Sequence, residues 1–275
     1  MGKAIFFDLE GPLSPQDNAY EVLGLVERGK ELFAVLSRYD DLLTLEGREG
    51  YEPGDTLKLI LPFLIYHRVT EEDIRRVSGR AEILVGAKET VARLKGMGWR
   101  VYIISTSYEQ HAHGVGARLG VAAEDIACTP MPLDRYQRVV GEEERTAIKA
   151  AEETILGLRE ARDRELVEIL DRIFFDGHGG GLMQVLGEVR VVGGRRKAEA
   201  MERFLGRDGL DLPATMAVGD SITDAQMLAK VGGGGGLAVA FNGNEFSIPS
   251  ATVALATTDM RALLPQPEAI REGGL

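Results

Sequence analysis

The start of the chain places two acidic residues directly after a short apolar run. Residues 4–7 read Ala-Ile-Phe-Phe and lead into Asp8, a leucine spacer, Glu10 and the turn Gly11-Pro12. A short apolar run that ends at turn residues is typical of a buried parallel strand, and open α/β sheets bind ligands at this end of their strands. Side chains alternate along a strand, so both acids lean to the same side. The pair therefore indicates a metal or acid–base site, because two like charges this close need compensation; the alternative is a solvated acidic turn.

A second corner of the same kind lies near the end of the chain. The run Thr215–Val218 leads into Gly219-Asp220, and another carboxylate, Asp224, follows four residues after the first. That spacing is about one helical turn, so the two carboxylates share a face if a helix begins here. Carboxylate oxygens suit Mg²⁺, which proteins hold with one or two carboxylates plus waters and phosphate oxygens. The sequence thus predicts a second strand end that carries paired carboxylates.

Two further motifs lie between these acidic corners, so that four follow one another along the chain. The first two are Asp8–Pro12 and Val101–Ser107, a strand that ends in hydroxyls. The third is Gly193–Lys197, with a lysine at the start of a helix, and the fourth is Gly219–Asp224. Their order and spacing resemble the haloacid dehalogenase (HAD) superfamily of phosphohydrolases, and the resemblance implies an α/β fold with a doubly wound parallel sheet. The matching core would comprise residues 1–14, 83–130 and 190–264.

The resemblance also implies a Mg²⁺-dependent phosphomonoester hydrolase that acts on a small phosphorylated metabolite. Asp8 would attack phosphorus and form an aspartyl-phosphate, and Glu10 would serve as general acid and base. The metal would be held by Asp8, the main-chain carbonyl of Glu10, and Asp220. Asp224 would support it through water or through its contacts with the other ligands.

Phosphate binding would involve Lys197 and a hydroxyl at the end of the second motif. Alternation along the strand places Ser105 and Ser107 on one side and Thr106 on the other. We predict Thr106 as the phosphate ligand, with Ser105 as the alternative. The competing interpretation of Lys197 is a solvated helix lysine, with two neighbouring arginines as rivals for its role.

Two departures from the family pattern leave other functions open. Glu10 is one methylene longer than the usual aspartate, and a misplacement of about 1 Å can cost roughly 100-fold in rate. Pro12 has no N–H to offer a ligand. A HAD-like subunit that binds metal or phosphate with little turnover is therefore an alternative. Residues 219–223 also match the nucleophile block of GDS-type serine esterases, but all four histidines precede Ser221, which is the wrong order for that triad.

Composition narrows the classes of partner. The net charge of −11 argues against non-specific binding to nucleic acid or to an anionic membrane. The lone Cys128 rules out an intramolecular disulfide and fits a reducing compartment. No apolar run reaches the roughly 18 residues of a spanning helix, and the chain enters a core strand at once. We therefore expect a cytoplasmic protein without a signal peptide.

Two insertions interrupt the predicted core. Residues 15–82 carry apolar residues at near-helical spacing, and the resemblance implies a helical cap there. Residues 131–189 form the second insertion, for which we predict one long charged helix from Glu142 to Asp171 and a glycine turn at 177–181. That helix would be solvated, would pack against the first insertion or would mediate a homodimer. Residues 265–275 are predicted to form a poorly ordered tail.

Overall fold

In the computed structural model, which describes residues 2–175 and 186–266, six parallel strands form one sheet in the order β3-β2-β1-β4-β5-β6. The strands are β1 (Lys3–Phe7), β2 (Trp99–Tyr108), β3 (Ile126–Thr129), β4 (Thr215–Gly219), β5 (Leu237–Phe241) and β6 (Val253–Leu255). The first strand lies in the middle, and the chain crosses outward from it in both directions. The predicted doubly wound α/β fold is confirmed.

Helices surround this sheet and form the inserted segments. They are α1 (Asn18–Leu23), α2 (Gly29–Leu45), α3 (Thr56–Tyr66), α4 (Glu71–Ser78), α5 (Ala87–Gly96), α6 (Glu109–Leu119), α7 (Leu133–Tyr136), α8 (Glu142–Gly157), α9 (Asp163–Phe174), α10 (Arg195–Asp208) and α11 (Ala225–Gly233). Within the described part of the chain, no helix is both long and apolar enough to cross a membrane.

The chain divides into two compact units. The first comprises Met1–Gln16, Ser78–Cys128 and Val192–Leu275, and it contains nearly all of the sheet. The second comprises Asp17–Val77 and Thr129–Val191, so the two inserted segments belong to one unit.

Alternating side chains give the sheet of the first unit two apolar faces. Ile5 and Phe7 point to the face covered by α5 and α6, whereas Ala4 and Phe6 point to the face covered by α10 and α11. All four are fully buried. A central parallel strand must be apolar on both faces, and this explains the uninterrupted apolar run before Asp8.

The second unit is built from helices. In it, α2 packs against α8 and α9, and α3 packs against α8. The single helix predicted from Glu142 to Asp171 is wrong: α8 ends at Gly157, and α9 begins at Asp163. Glycine is a weak helix former, and the connection is fixed by Arg38, whose guanidinium donates to the Ala161 carbonyl at 2.9 Å and also bonds Asp163. The glycine turn predicted at 177–181 and the predicted tail after residue 266 lie outside the described residues.

Candidate active site

The two acidic corners of the first unit meet at the carboxyl edge of the sheet. Strands β1 and β4 are parallel neighbours, with Phe7 opposite Val218, so the residues that follow both strands leave the sheet side by side. Asp8, Asp220 and Asp224 each place one carboxylate oxygen within 4.8 Å of the other two. Asp8 is 4% exposed and Asp224 is fully buried. Three acids separated by up to 216 residues thus form one cluster.

Two glycines allow this close approach. Gly11 has a φ of 84°, and a Cβ at this position would collide with the Asp220 carboxylate. A Cβ on Gly219 would collide with the side chain of Asp224. Glycine at both corners is therefore required by the packing of the acids, and at Gly11 also by the left-handed backbone.

Lys197 lies in the first turn of α10 and joins the cluster from the side. Its Nζ donates to Asp8 Oδ2 at 2.7 Å and to Asp224 Oδ1 at 2.8 Å, and its side chain is fully buried. The neighbouring Arg195 forms an ion pair with Glu199 at 2.6 Å instead. The interpretation of Lys197 as a solvated helix lysine is therefore wrong.

Asp224 uses both of its carboxylate oxygens to hold the fourth-motif corner together. While Oδ1 accepts from the lysine, Oδ2 accepts from the backbone N–H groups of Asp220 at 3.1 Å and Ser221 at 3.2 Å. The Ser221 hydroxyl lies 2.9 Å from that of Thr223 and 3.4 Å from Asp224 Oδ2. Asp224 therefore orders the loop that carries Asp220.

The cluster holds more negative than positive charge. Three carboxylates face one ammonium group, which leaves an excess of two negative charges when all are ionised. Burial, followed by the Asp224 charge, raises the pKa of Asp8 well above 3.8. Burial and Asp224 likewise raise the pKa of Asp220 to about 7. Burial alone would lower the pKa of Lys197, but Asp224 and Asp8 outweigh it and raise that pKa. Such a set of hard oxygen donors with uncompensated charge fits a divalent cation of the Mg²⁺ type.

The hydroxyl residues of the second motif lie at the end of β2, next to β1. Ser105 is fully buried, and its Oγ accepts from the Ser107 N–H at 3.1 Å. Ser107 is 3% exposed, whereas Thr106 on the opposite side of the strand is only partly buried. The choice of Thr106 or Ser105 as phosphate ligand stays a prediction.

Glu10 has a neighbour that sequence reasoning did not single out. Its Oε1 lies 4.0 Å from Nε2 of His111, which is 1% exposed on α6. Among the residues that the structure describes, neither ring nitrogen of His111 has a hydrogen-bond partner, which costs about 1–3 kcal/mol per buried polar group. Burial, with a smaller effect of Arg118, lowers the pKa of His111 to about 4. The only sequence signal was its place on the helix that follows the second motif.

The proteins that match this chain were found among solved structures. No family model matches the chain, and no curated protein matches it. The structure of gene product AF1437 from Archaeoglobus fulgidus is 31% identical, with a TM-score of 0.85 over 98% of this chain and 82% of that one.

More distant structures share the fold. A phosphoserine phosphatase in a phospho-aspartyl intermediate analogue form is 20% identical, with a TM-score of 0.61 over 96% of this chain and 98% of that one. A HAD family hydrolase from Salmonella enterica is 12% identical, with a TM-score of 0.57 over 92% of this chain and 66% of that one. The chain therefore belongs to one family with the Archaeoglobus fulgidus gene product, and it has the fold of the HAD-like phosphatases.

Proposed function

We propose that the protein is a Mg²⁺-dependent phosphomonoester hydrolase with Asp8 as its nucleophile. The observation that carries the proposal is the fully buried Lys197, which bridges Asp8 and Asp224 beside Asp220. Burying a lysine and several carboxylates costs desolvation free energy, and perturbed carboxylates of this kind are typical of active sites.

Each side chain of the cluster has a task in this reaction. Asp8 attacks phosphorus, and the leaving oxygen takes a proton from Glu10, which then activates water against the aspartyl-phosphate. Lys197 holds Asp8 in place and offsets the charge of the phosphoryl oxygens, while Thr106 or Ser105 donates to them. Asp8, Asp220 and the Glu10 carbonyl would hold Mg²⁺, which supplies positive charge to the phosphoryl oxygens when bound.

The fold comparison supports the same chemistry. One neighbour is a phosphoserine phosphatase whose structure contains a phospho-aspartyl intermediate analogue. A small phosphorylated molecule is accordingly the substrate class that we propose here. The identity of that molecule depends on residues beyond the cluster.

An aryl-phosphate assay tests this proposal. The wild type should release the aryl alcohol with Mg²⁺ present and stop when a chelator removes the metal. Asp8→Asn should be inactive, whereas Asp211→Asn, an exposed aspartate of the same unit, should match the wild type. Activity that survives in Asp8→Asn would contradict the proposal.

A second candidate is a binding or regulatory subunit with little turnover, and the observation that favours it is Glu10 in place of a shorter aspartate. This candidate predicts no hydrolysis across a panel of phosphoesters. It also predicts that calorimetry detects Mg²⁺ and inorganic phosphate binding in the wild type but not in Asp220→Asn. Turnover of any phosphoester that depends on Asp8 would rule it out.

A further inference from the structure

A buried histidine lies beside the acidic residue that departs from the family pattern. His111 is 1% exposed, and both of its ring nitrogens are without a hydrogen-bond partner within residues 2–175 and 186–266. Its Nε2 is 4.0 Å from Glu10 Oε1. Buried polar groups in folded proteins are nearly always satisfied, so each exception calls for an explanation.

The backbone around Glu10 is fixed, but its side chain is long. Glu10 pairs with Ser14 in an isolated bridge, and the Gly11 N–H donates to the Ser14 carbonyl at 2.7 Å. Three side-chain torsions separate the carboxyl group from the fixed Cα, one more than in the aspartate of the family pattern. An acid–base group needs a defined position, because a misplacement of about 1 Å can cost roughly 100-fold in rate.

The imidazole is within reach of that carboxyl group. Closing 4.0 Å to the 2.7–3.2 Å of a hydrogen bond takes a change of about 1 Å, which side-chain rotation of Glu10 can supply. A neutral imidazole offers one N–H donor and one acceptor, and Nε2 is the nitrogen that faces Glu10. The imidazole ring has little freedom to move, because His111 on α6 is almost completely buried.

We propose that His111 is a positioning residue that fixes the carboxyl group of Glu10 by donating a hydrogen bond from Nε2. The proposal rests on the proposed function, because it concerns the acid–base residue of that reaction. In this arrangement the histidine replaces the geometric restraint that a shorter aspartate has by itself. His111 does not contact phosphate, and its contribution to the rate is lost when residue 10 can no longer exchange a proton.

Steady-state kinetics provide the first test. His111→Leu removes the donor and should lower kcat by about 10–100-fold with KM changed less than about twofold. His111→Gln keeps an amide donor at a similar reach and should stay within about threefold of the wild type. In a Glu10→Gln background, His111→Leu should cause no further loss. Equal losses in the Leu and Gln variants, or additive losses with Glu10→Gln, would overturn the proposal.

Imidazole ¹⁵N NMR of the metal-free protein is the second test, and it does not depend on activity. Glu10→Gln should shift the ring nitrogens of His111 and leave those of His67 and His113 unchanged. Unchanged His111 resonances in an active enzyme would refute the inference and leave the proposed function standing. A wild type without phosphatase activity would refute the proposed function, and the NMR result would still decide whether His111 and Glu10 are coupled.

Discussion

Each unit contains one charged cluster, buried in the first unit and partly buried in the second, and the two differ in their balance of positive and negative charge. In the first unit, Lys197 lies among Asp8, Asp220 and Asp224. In the second, the Arg48 guanidinium bonds both oxygens of a single carboxylate, Asp171, which also accepts from the Tyr39 hydroxyl. The first cluster has three carboxylates for one cation, and the second has one carboxylate for one cation.

The pKa directions follow this charge balance. Burial and like charges raise the pKa of Asp8, whereas Arg48 and Tyr39 outweigh burial and lower the pKa of Asp171. A balanced pair with its hydrogen bonds made stabilises the fold that surrounds it. An unbalanced cluster is maintained by the rest of the fold at a cost in stability, as is common at sites where function needs the charge. Charge balance therefore distinguishes a structural ion pair from a candidate active site.

Replacing one acid in each cluster by its amide should have different effects on stability. At Asp8 the replacement should also cause the largest loss of activity. Asp8→Asn should abolish phosphatase activity, by at least about 10³-fold, because an amide cannot form the acyl phosphate. The same change relieves repulsion, so the metal-free protein should keep its stability or gain about 1 kcal/mol. Asp171→Asn should instead lower stability by about 1 kcal/mol, since a charge-assisted bond is lost. Urea unfolding of both variants measures this, and a loss of stability in Asp8→Asn as large as in Asp171→Asn would remove the contrast.

Removing the cation from each cluster should give the next largest effect. Lys197→Met leaves buried carboxylates uncompensated and should destabilise the metal-free protein by about 3–5 kcal/mol. Arg48→Met should cost only about 1–2 kcal/mol, because the side chain of Asp171 is 23% exposed and water can take over part of the interaction. Thermal and urea unfolding give both values. Equal losses would show that charge balance does not distinguish the clusters.

The strands of the core and its acidic corners could be predicted from sequence because their signals are local. The apolar run before Asp8 and the turn glycines Gly11 and Gly219 are visible in the chain, and their packing follows from the parallel sheet. The lysine at the start of α10 is likewise predictable from the sequence, because the four motifs keep their order. Such features need no knowledge of the remaining packing.

Other features depended on tertiary contacts. The break between α8 and α9 is stabilised by Arg38, more than 120 residues away in sequence, and the charge pattern alone gives no sign of it. His111 is significant through its burial beside Glu10, and sequence does not report the burial of a single helical histidine. The same holds for the pairing of Arg48 with Asp171, which joins two separate insertions.

A buried carboxylate that forms no ion pair with any residue the structure describes extends the comparison within the second unit. Asp40 is 9% exposed and accepts from the Tyr51 hydroxyl at 2.5 Å and the Thr56 N–H at 3.1 Å. Burial raises its pKa to about 6. The folded protein therefore binds this proton more tightly than the unfolded chain, and the resulting stability is present below about pH 4 and lost as the pH rises through 6.

Asp40→Asn should accordingly flatten part of the pH dependence of stability. The asparagine keeps an acceptor for Tyr51 and Thr56 but cannot ionise. The difference in unfolding free energy between the variant and the wild type should grow by about 2 kcal/mol in favour of the variant between pH 4 and pH 7. Urea unfolding at several pH values measures it. A constant difference across this range would show that Asp40 is ionised to the same extent in the folded and unfolded states.

The smallest effect is expected at Ser221, and it separates the phosphatase from the esterase interpretation. The Ser221 hydroxyl contacts Thr223 and Asp224 and so helps to order the loop that carries Asp220. Because two backbone N–H groups also bind Asp224, Ser221→Ala should cost no more than about 1 kcal/mol of stability and change kcat less than about threefold. A serine nucleophile would instead be indispensable for ester hydrolysis. With saturating Mg²⁺, the Ser221→Ala variant should therefore remain active and the Asp220→Ala variant should be impaired. The reason is that Asp220 contributes a carboxylate to the cluster, whereas Ser221 only supports its loop. The reverse ranking of the two variants would assign the corner to ester chemistry.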